Sequence, residues 1–191
     1  MSSLAEEWGR CRDALTDRHI DRLAGLGILP EISRRAVGVA YVERFGSGWW
    51  QPLEEGGTPC FVSPAGWWCA IAREWRWIAD LVAWGPNSPQ QWALRTGNGM
   101  LLGAEVANEA AWQHRPLDLD ETPLSWLRRA CTGACILDWH RVHPVLDFSA
   151  QVELRCATPE LRRRLQRRMA ELAAPAFTVT TTAVRRPDEA A

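Results

Sequence analysis

Between Ala36 and Thr96 the apolar residues tend to fall at every second position, and glycine and proline interrupt them repeatedly. On either side of this stretch their spacing returns to three and four. A side-chain period of two belongs to strands and one near 3.6 to helices. The chain is therefore limited to a block of short strands held between helical segments, which is an α+β fold with an antiparallel meander sheet. Val37, Val39 and Tyr41 predict the first strand. Gly46-Ser47-Gly48 predicts a turn, Trp49-Trp50 the opening of the next strand, and Glu54 to Pro59 a loop. Cys60-Phe61-Val62 and Trp67 to Ala72 are expected as two short strands around a turn at Pro64-Ala65-Gly66. Residues 74–84 give the strongest strand, with Trp75, Trp77, Ala79, Leu81 and Ala83 on its inner face, and 91–96 a further one.

The flanks read as helices. Leu4, Trp8, Cys11, Leu15, Ile20 and Leu23 predict one N-terminal helix over 3–26, stopped by Gly25, Gly27 and Pro30, with a short helix from Pro30 to Arg35. After the sheet, helices are expected over 100–112 and, from the Thr122-Pro123 cap, to about Cys131. A C-terminal strand–strand–helix–strand unit follows, at 134–139, 151–157, from Pro159 to about Ala173, and 177–184. The expected organisation is a single α+β domain over 1–184 with a sub-boundary near 113–121, and a disordered tail at 185–191.

Twelve residues are tryptophan, seven of them between Trp49 and Trp84, and all 22 basic residues are arginine. Indole faces stack on bases and guanidinium forks grip phosphate; a GC-rich coding sequence writes the same composition. Net charge is −1, so the chain as a whole does not attract nucleic acid. Residues 1–120 carry −4 and residues 121–191 carry +3, which places the basic character in the C-terminal third. The polar, acidic N-terminus has no signal-peptide pattern and no apolar run is long enough to span a bilayer, so the sequence reads as cytoplasmic, with its six cysteines as free thiols.

Within residues 19–105, Gly27-Ile28, Pro30-Glu31, Arg34, Gly38 through Tyr41, and the run Ile78–Trp84 resemble a core segment of Toprim-type primases of phages, plasmids and bacteria. The resemblance implies a basic groove for template and product, and a mobile-element or prophage origin. The family's zinc module is missing. Asp118-Leu119-Asp120 has the spacing of its Asp-x-Asp metal motif but lies between Pro116 and Pro123 with no apolar strand ahead of it, so no metal ligand is carried over.

Three constellations could carry chemistry. The helix after Thr158 crowds Arg162, Arg163, Arg164, Arg167 and Arg168 opposite a stripe of Leu161, Leu165, Met169 and Leu172, which suits phosphate contacts or a solvated face. The doublets Trp49-Trp50 and Trp67-Trp68 cannot both point inward, because neighbours on a strand face opposite ways; their outer members would stack on bases or anchor a partner protein. Cys131, Cys135, His140 and His143 have ligand chemistry for zinc, and Asp138, His140, His143 and Asp147 could form an acid–base set. Against both, the short link between the cysteines departs from zinc-finger spacing, and no nucleophile or phosphate-loop motif accompanies the histidines. Gly97-Asn98-Gly99 reads as a turn, or as amides for an anion.

The leading expectation is a non-catalytic, primase-like accessory protein without cofactor that binds single-stranded nucleic acid through the arginine helix and outer tryptophans. The second is an adaptor for a replication or other protein partner, using the same tryptophans. The third is a metal-dependent enzyme built on residues 131–147.

Overall fold

The computed structural model describes residues 3–45, 48–141 and 152–173. It is α+β, and its strands form two sheets. The N-terminal segment makes two helices rather than one, α1 (Leu4–Asp13) and α2 (Asp17–Gly25). Ser3 caps α1 in a reciprocal box with Glu6, and Thr16 starts α2 afresh by engaging His19. An apolar period that continues through Leu15 does not reveal this break; the extended backbone of Thr16 does. Pro30 begins α3 (Pro30–Ala36).

Next comes the predicted β block, β1 (Gly38–Phe45), β2 (Trp49–Pro52), β3 (Thr58–Cys69), β4 (Glu74–Gly85) and β5 (Ser88–Leu94). It is a closed barrel in the order β1-β2-β5-β4-β3, not an open meander. β1 returns antiparallel onto β3, and β2 lies parallel to β5 through Trp49 and Leu94. Closure removes both sheet edges. Val42, Trp50, Val62, Leu81, Ala83 and Ala93, from all five strands, form one buried cluster with Trp8 and Cys11 of α1. A partly buried ion pair, Glu7 to Arg95 at 2.8 Å, fixes α1 to the residue that follows β5.

β3 is a single strand where two were expected. Pro64 breaks nothing, because β1 pairs with β3 only as far as Val62 and the proline's missing N–H falls beyond that ladder. Gly66 permits a close strand crossing, since a Cβ there would run into the Trp77 carbonyl oxygen. The β3–β4 ladder slips twice, between Ala65/Gly66 and Trp67/Trp68, leaving Ala79 and Arg76 without partners. These bulges reset which residues face in. Leu81 and Ala83 stay inside, but Trp77, expected beside them in the core, is 61% exposed, and Trp75 is half-buried.

The second sheet has the order β6-β8-β7-β9, from β6 (Leu101–Leu102), β7 (Leu117–Asp120), β8 (Ala134–Ile136) and β9 (Leu154–Cys156). β6 is antiparallel to β8, while β7 runs parallel to both β8 and β9. Two expectations change here. Leu101 and Leu102 belong to a strand, and α4 (Ala104–Trp112) begins only after Gly103, whose φ of 74° few other residues tolerate. Asp118-Leu119-Asp120, expected without an apolar strand ahead of it, lies within a strand itself: Leu117 and Leu119 give it a buried face, enough for a central strand despite Pro116. α5 (Pro123–Arg128) starts at the Thr122 cap, and α6 (Pro159–Ala173) at Thr158, whose hydroxyl accepts from the Leu161 amide at 3.1 Å.

Barrel and second sheet share a core. Phe61, Val82 and Trp84 from the barrel cluster with Leu23 and Ile32 beneath, and with Leu102, Trp126, Cys135 and Leu137 beyond. A second cluster seats Leu161 and Leu165 of α6 against Leu117, Leu119, Ala134 and Ile136. The strand expected at 177–184 and the tail at 185–191 lie outside the described residues. None of the described helices is long and apolar enough to cross a membrane.

Candidate nucleic-acid interface

A cleft runs along the seam between the two sheets. One wall is barrel: Trp49 at the start of β2, with Gln90 and Trp92 of β5. The opposite wall is the segment after β8, Asp138 to Arg141, backed by Arg164 of α6. The floor is the connection from Thr96 to Asn98. The cleft encloses about 720 Å³.

The floor is fixed by one buried carboxylate. Asp80 has no solvent exposure. Its Oδ1 accepts from the amides of Leu81 at 2.8 Å and Thr96 at 2.9 Å, and its Oδ2 from those of Asn98 at 2.7 Å and Gly99 at 2.9 Å. The Asn98 and Gly99 amides of the Gly97-Asn98-Gly99 turn are thus committed to an anion supplied by the chain itself, which removes them as a phosphate cradle. Gly97, at φ 75°, has no side chain to push aside the Trp49 ring that lies against it.

Trp49 is 48% exposed and presents a ring to the cleft, as an outer member of its doublet should. Trp50 does not belong to the site. It is buried in the barrel, donates Nε1–H to the Leu81 carbonyl at 3.0 Å and lies under the Arg95 guanidinium at 5.7 Å. Trp67 and Trp68 diverge in the same way. Trp67 lines a separate cavity beside α4. Trp68 is half-buried, packed edge-on against Trp75 at 5.5 Å and under Arg35 at 5.5 Å, in an open groove that Arg12, Arg34 and Arg73 also line.

The five helix arginines do not form one face. Successive positions turn 100° on a helix, so they spread over the whole arc left by Leu161 and Leu165. Arg164 turns into the cleft, its guanidinium 4.1 Å from the Trp139 ring centre. Desolvation lowers its pKa from the ordinary arginine value, with Glu121 and Cys135 acting the other way. Arg168 donates to the His140 carbonyl at 3.0 Å and to Glu171 at 2.8 Å, which ties α6 to the far wall. Arg163 is paired with Glu160, Arg162 lies on the β9 side, and Arg167 is exposed. Leu161 and Leu165 of the predicted apolar stripe are buried, while Met169 is 48% exposed.

Three cleft residues were not anticipated: Trp92, Trp139 and Arg141. Trp92 donates to the Leu137 carbonyl at 3.2 Å, linking the walls. Arg141 donates Nε–H to Asp138 at 2.6 Å and also reaches the Gly97 carbonyl. Burial alone would raise the Asp138 carboxyl, but Arg141 and the His140 and Arg141 amides outweigh it and hold its pKa below the ordinary value. The available signal was positional: Asp138-Trp139-His140-Arg141 follows a fully apolar strand, and ligand crevices in parallel sheets lie at the carboxyl ends of strands.

The acid–base and zinc constellations do not assemble among the described residues. Asp138 is bound to Arg141, His140 is exposed, and His143 and Asp147 lie outside the described residues. Cys131 and Cys135 are buried in the shared core. Burial pushes the Cys131 thiol up to about 11 and raises that of Cys135 further. No group of three or more histidine, cysteine or acidic side chains among the described residues is arranged to hold a metal ion. Of the Asp-x-Asp pair, Asp118 meets Arg129 at 2.6 Å. Asp120 is buried with neither carboxylate oxygen hydrogen-bonded, and desolvation lifts it to about 6.

No protein-family model, curated protein or solved structure matches the chain.

Proposed function

We propose that this protein binds single-stranded nucleic acid, without catalysis, in the cleft between its two sheets. The observation that carries the reading is the convergence of Trp49, Trp92 and Trp139 with Arg141 and Arg164 on one cleft, from segments far apart in sequence. Non-specific single-strand sites combine these two ingredients, a stacking face and a cation that tracks the backbone. Of these three rings, Trp49 is the most exposed. Arg164 already covers one face of Trp139 and lines the cleft.

Fold-level analogy points the same way. Read from β3, the barrel is a meander β3–β4–β5 closed by the β1–β2 hairpin, with β1 against β3 and β2 parallel to β5. Five-stranded barrels of the oligonucleotide-binding type share this closure and bind strands across the second and third strands of the meander. Those correspond to β4 and β5, and β5 supplies Gln90 and Trp92. The primase resemblance of residues 19–105 supports the same class of ligand, and the proposed mobile-element origin rests on it.

The test is a titration with a fluorescently labelled oligo-dT. Arg164→Glu and Trp49→Ala should each weaken binding at least tenfold while leaving the urea midpoint near wild type. Wild-type affinity in both variants would remove the cleft from the site. A nuclease-resistant protein complex that forms while oligonucleotide fails to bind would favour the adaptor reading instead.

A further inference from the structure

We propose that the cavity between the β3–β4 hairpin and α4 is a binding site for an uncharged, purine-sized heteroaromatic ring. It is separate from the cleft, although Asn98 touches both. Trp67 and Trp77 are direct partners across the β3–β4 ladder, so their indoles stand on the same face of the hairpin. Both are exposed, Trp67 at 39% and Trp77 at 61%, and both line the cavity. Leu101, Ala104 and Ala107 close the other side with small, apolar contacts.

The fold creates this space. The bulge at Ala79 turns Trp77 outward when regular alternation would bury it with Leu81. Gly66 and Gly99 leave the walls without side chains; a Cβ on Gly99 would sit 2.8 Å from that of Asp80. Asp80 also locks the Asn98 backbone, so that wall is preformed.

Size and chemistry select the ligand. The cavity holds about 220 Å³. An apolar cavity of roughly 150 Å³ accepts benzene, so this one suits two fused rings. No charged side chain lines it, which leaves a phosphate nothing to bind. Asn98 and Asn108 supply the only side-chain amides of the lining, and among the described residues neither amide has a partner. Each offers one donor edge and one acceptor, the complement of a base edge. An apolar bed between two indoles with amides at the rim fits a neutral base better than a wholly hydrocarbon ring.

Adenosine, indole and a short oligo-dA test this by tryptophan fluorescence and saturation-transfer NMR on the whole chain. Adenosine should bind saturably. Trp77→Ala, which removes an exposed side chain, should weaken it tenfold or more, and Ala104→Phe should fill the space and abolish it. Arg164→Glu should leave adenosine binding unchanged while impairing the oligonucleotide, which separates failure of this site from failure of the cleft. Displacement of adenosine by oligo-dA would identify the ring as one carried on a strand, and lack of displacement a free nucleoside; both retain the site. Absence of adenosine binding, binding that survives both cavity variants, or binding of indole alone would overturn the proposal.

Discussion

Replacing Asp80 by asparagine tests whether one carboxylate organises the floor of the cleft. Its two oxygens receive four backbone amides, two each. Asparagine offers one oxygen and one NH2 group, so in either orientation two amides confront a donor. Each hydrogen bond to a charged group contributes about 1.5–3 kcal/mol, which puts the loss at about 3–6 kcal/mol. Burying a neutral amide costs less than burying a carboxylate, so the lower end applies, about 3 kcal/mol. With a denaturant slope of about 2–3 kcal/mol/M in urea, the midpoint should fall by roughly 1–1.5 M with the slope unchanged. Hydrogen exchange adds a local readout: the amides of Leu81, Thr96, Asn98 and Gly99 should lose protection beyond the global change. A midpoint within a few tenths of a molar of wild type, or protection retained at Asn98 and Gly99, would refute the latch.

Asp120 sets a pH dependence. Its folded pKa of about 6 lies above the unfolded value near 3.9, so the folded state holds the proton more tightly and stability falls as pH rises from about 4 to 6, by up to about 3 kcal/mol. Asp120→Asn should flatten that fall in urea melts and raise stability at pH 7; a variant less stable than wild type at pH 7 would mean that Arg129, 3.8 Å away, already compensates the charge. Thiol labelling should find Cys69 first, since the Ala72 amide and Arg76 lower its pKa, whereas Cys11, Cys131 and Cys135 should react only on unfolding. Early labelling of Cys135, read by peptide mass, would contradict its burial in the shared core.

The sequence revealed most where one local rule controls the outcome. Period two marks out the barrel block, although it divides β3 into two strands and starts β5 three residues late, and the Thr-Pro pairs at 122–123 and 158–159 mark the starts of α5 and α6. It was silent where the outcome depends on pairing partners. Whether Pro64 breaks a strand depends on how far β1 extends alongside it, and whether Trp77 points inward depends on a bulge at Ala79. Barrel closure, too, depends on contacts between β1 and β3 and between β2 and β5 that no local pattern encodes. The candidate site divides along the same line. Alternation splits Trp49 from Trp50, as the structure does, but the clustering of arginines along the chain does not become clustering in space. Arg164 and Arg168 turn toward the cleft wall while Arg162, Arg163 and Arg167 point elsewhere.

On the proposed reading, a chain of net charge −1 would have to draw its affinity for a strand from something other than a general field. In the cleft, Arg141 is partly neutralised by Asp138, and Arg164 meets no carboxylate at ion-pair distance among the described residues. If the proposed cleft binds a strand, these two arginines would engage one or two phosphates, and for single strands the logarithm of affinity should fall against that of salt with a slope of about −0.7 to −1.4. A fourfold rise in salt then weakens binding only about three- to sevenfold. Stacking contributes about 1–3 kcal/mol per base, so the exposed Trp49 ring alone rivals the charge effect. Binding should thus be tryptophan-led, nearly salt-tolerant and strongly reduced by Trp49→Ala. A slope steeper than about −3 would need four or more phosphates. That would shift the strand's path to the groove lined by Arg12, Arg34, Arg35 and Arg73 beside Trp68, where four guanidinium groups gather.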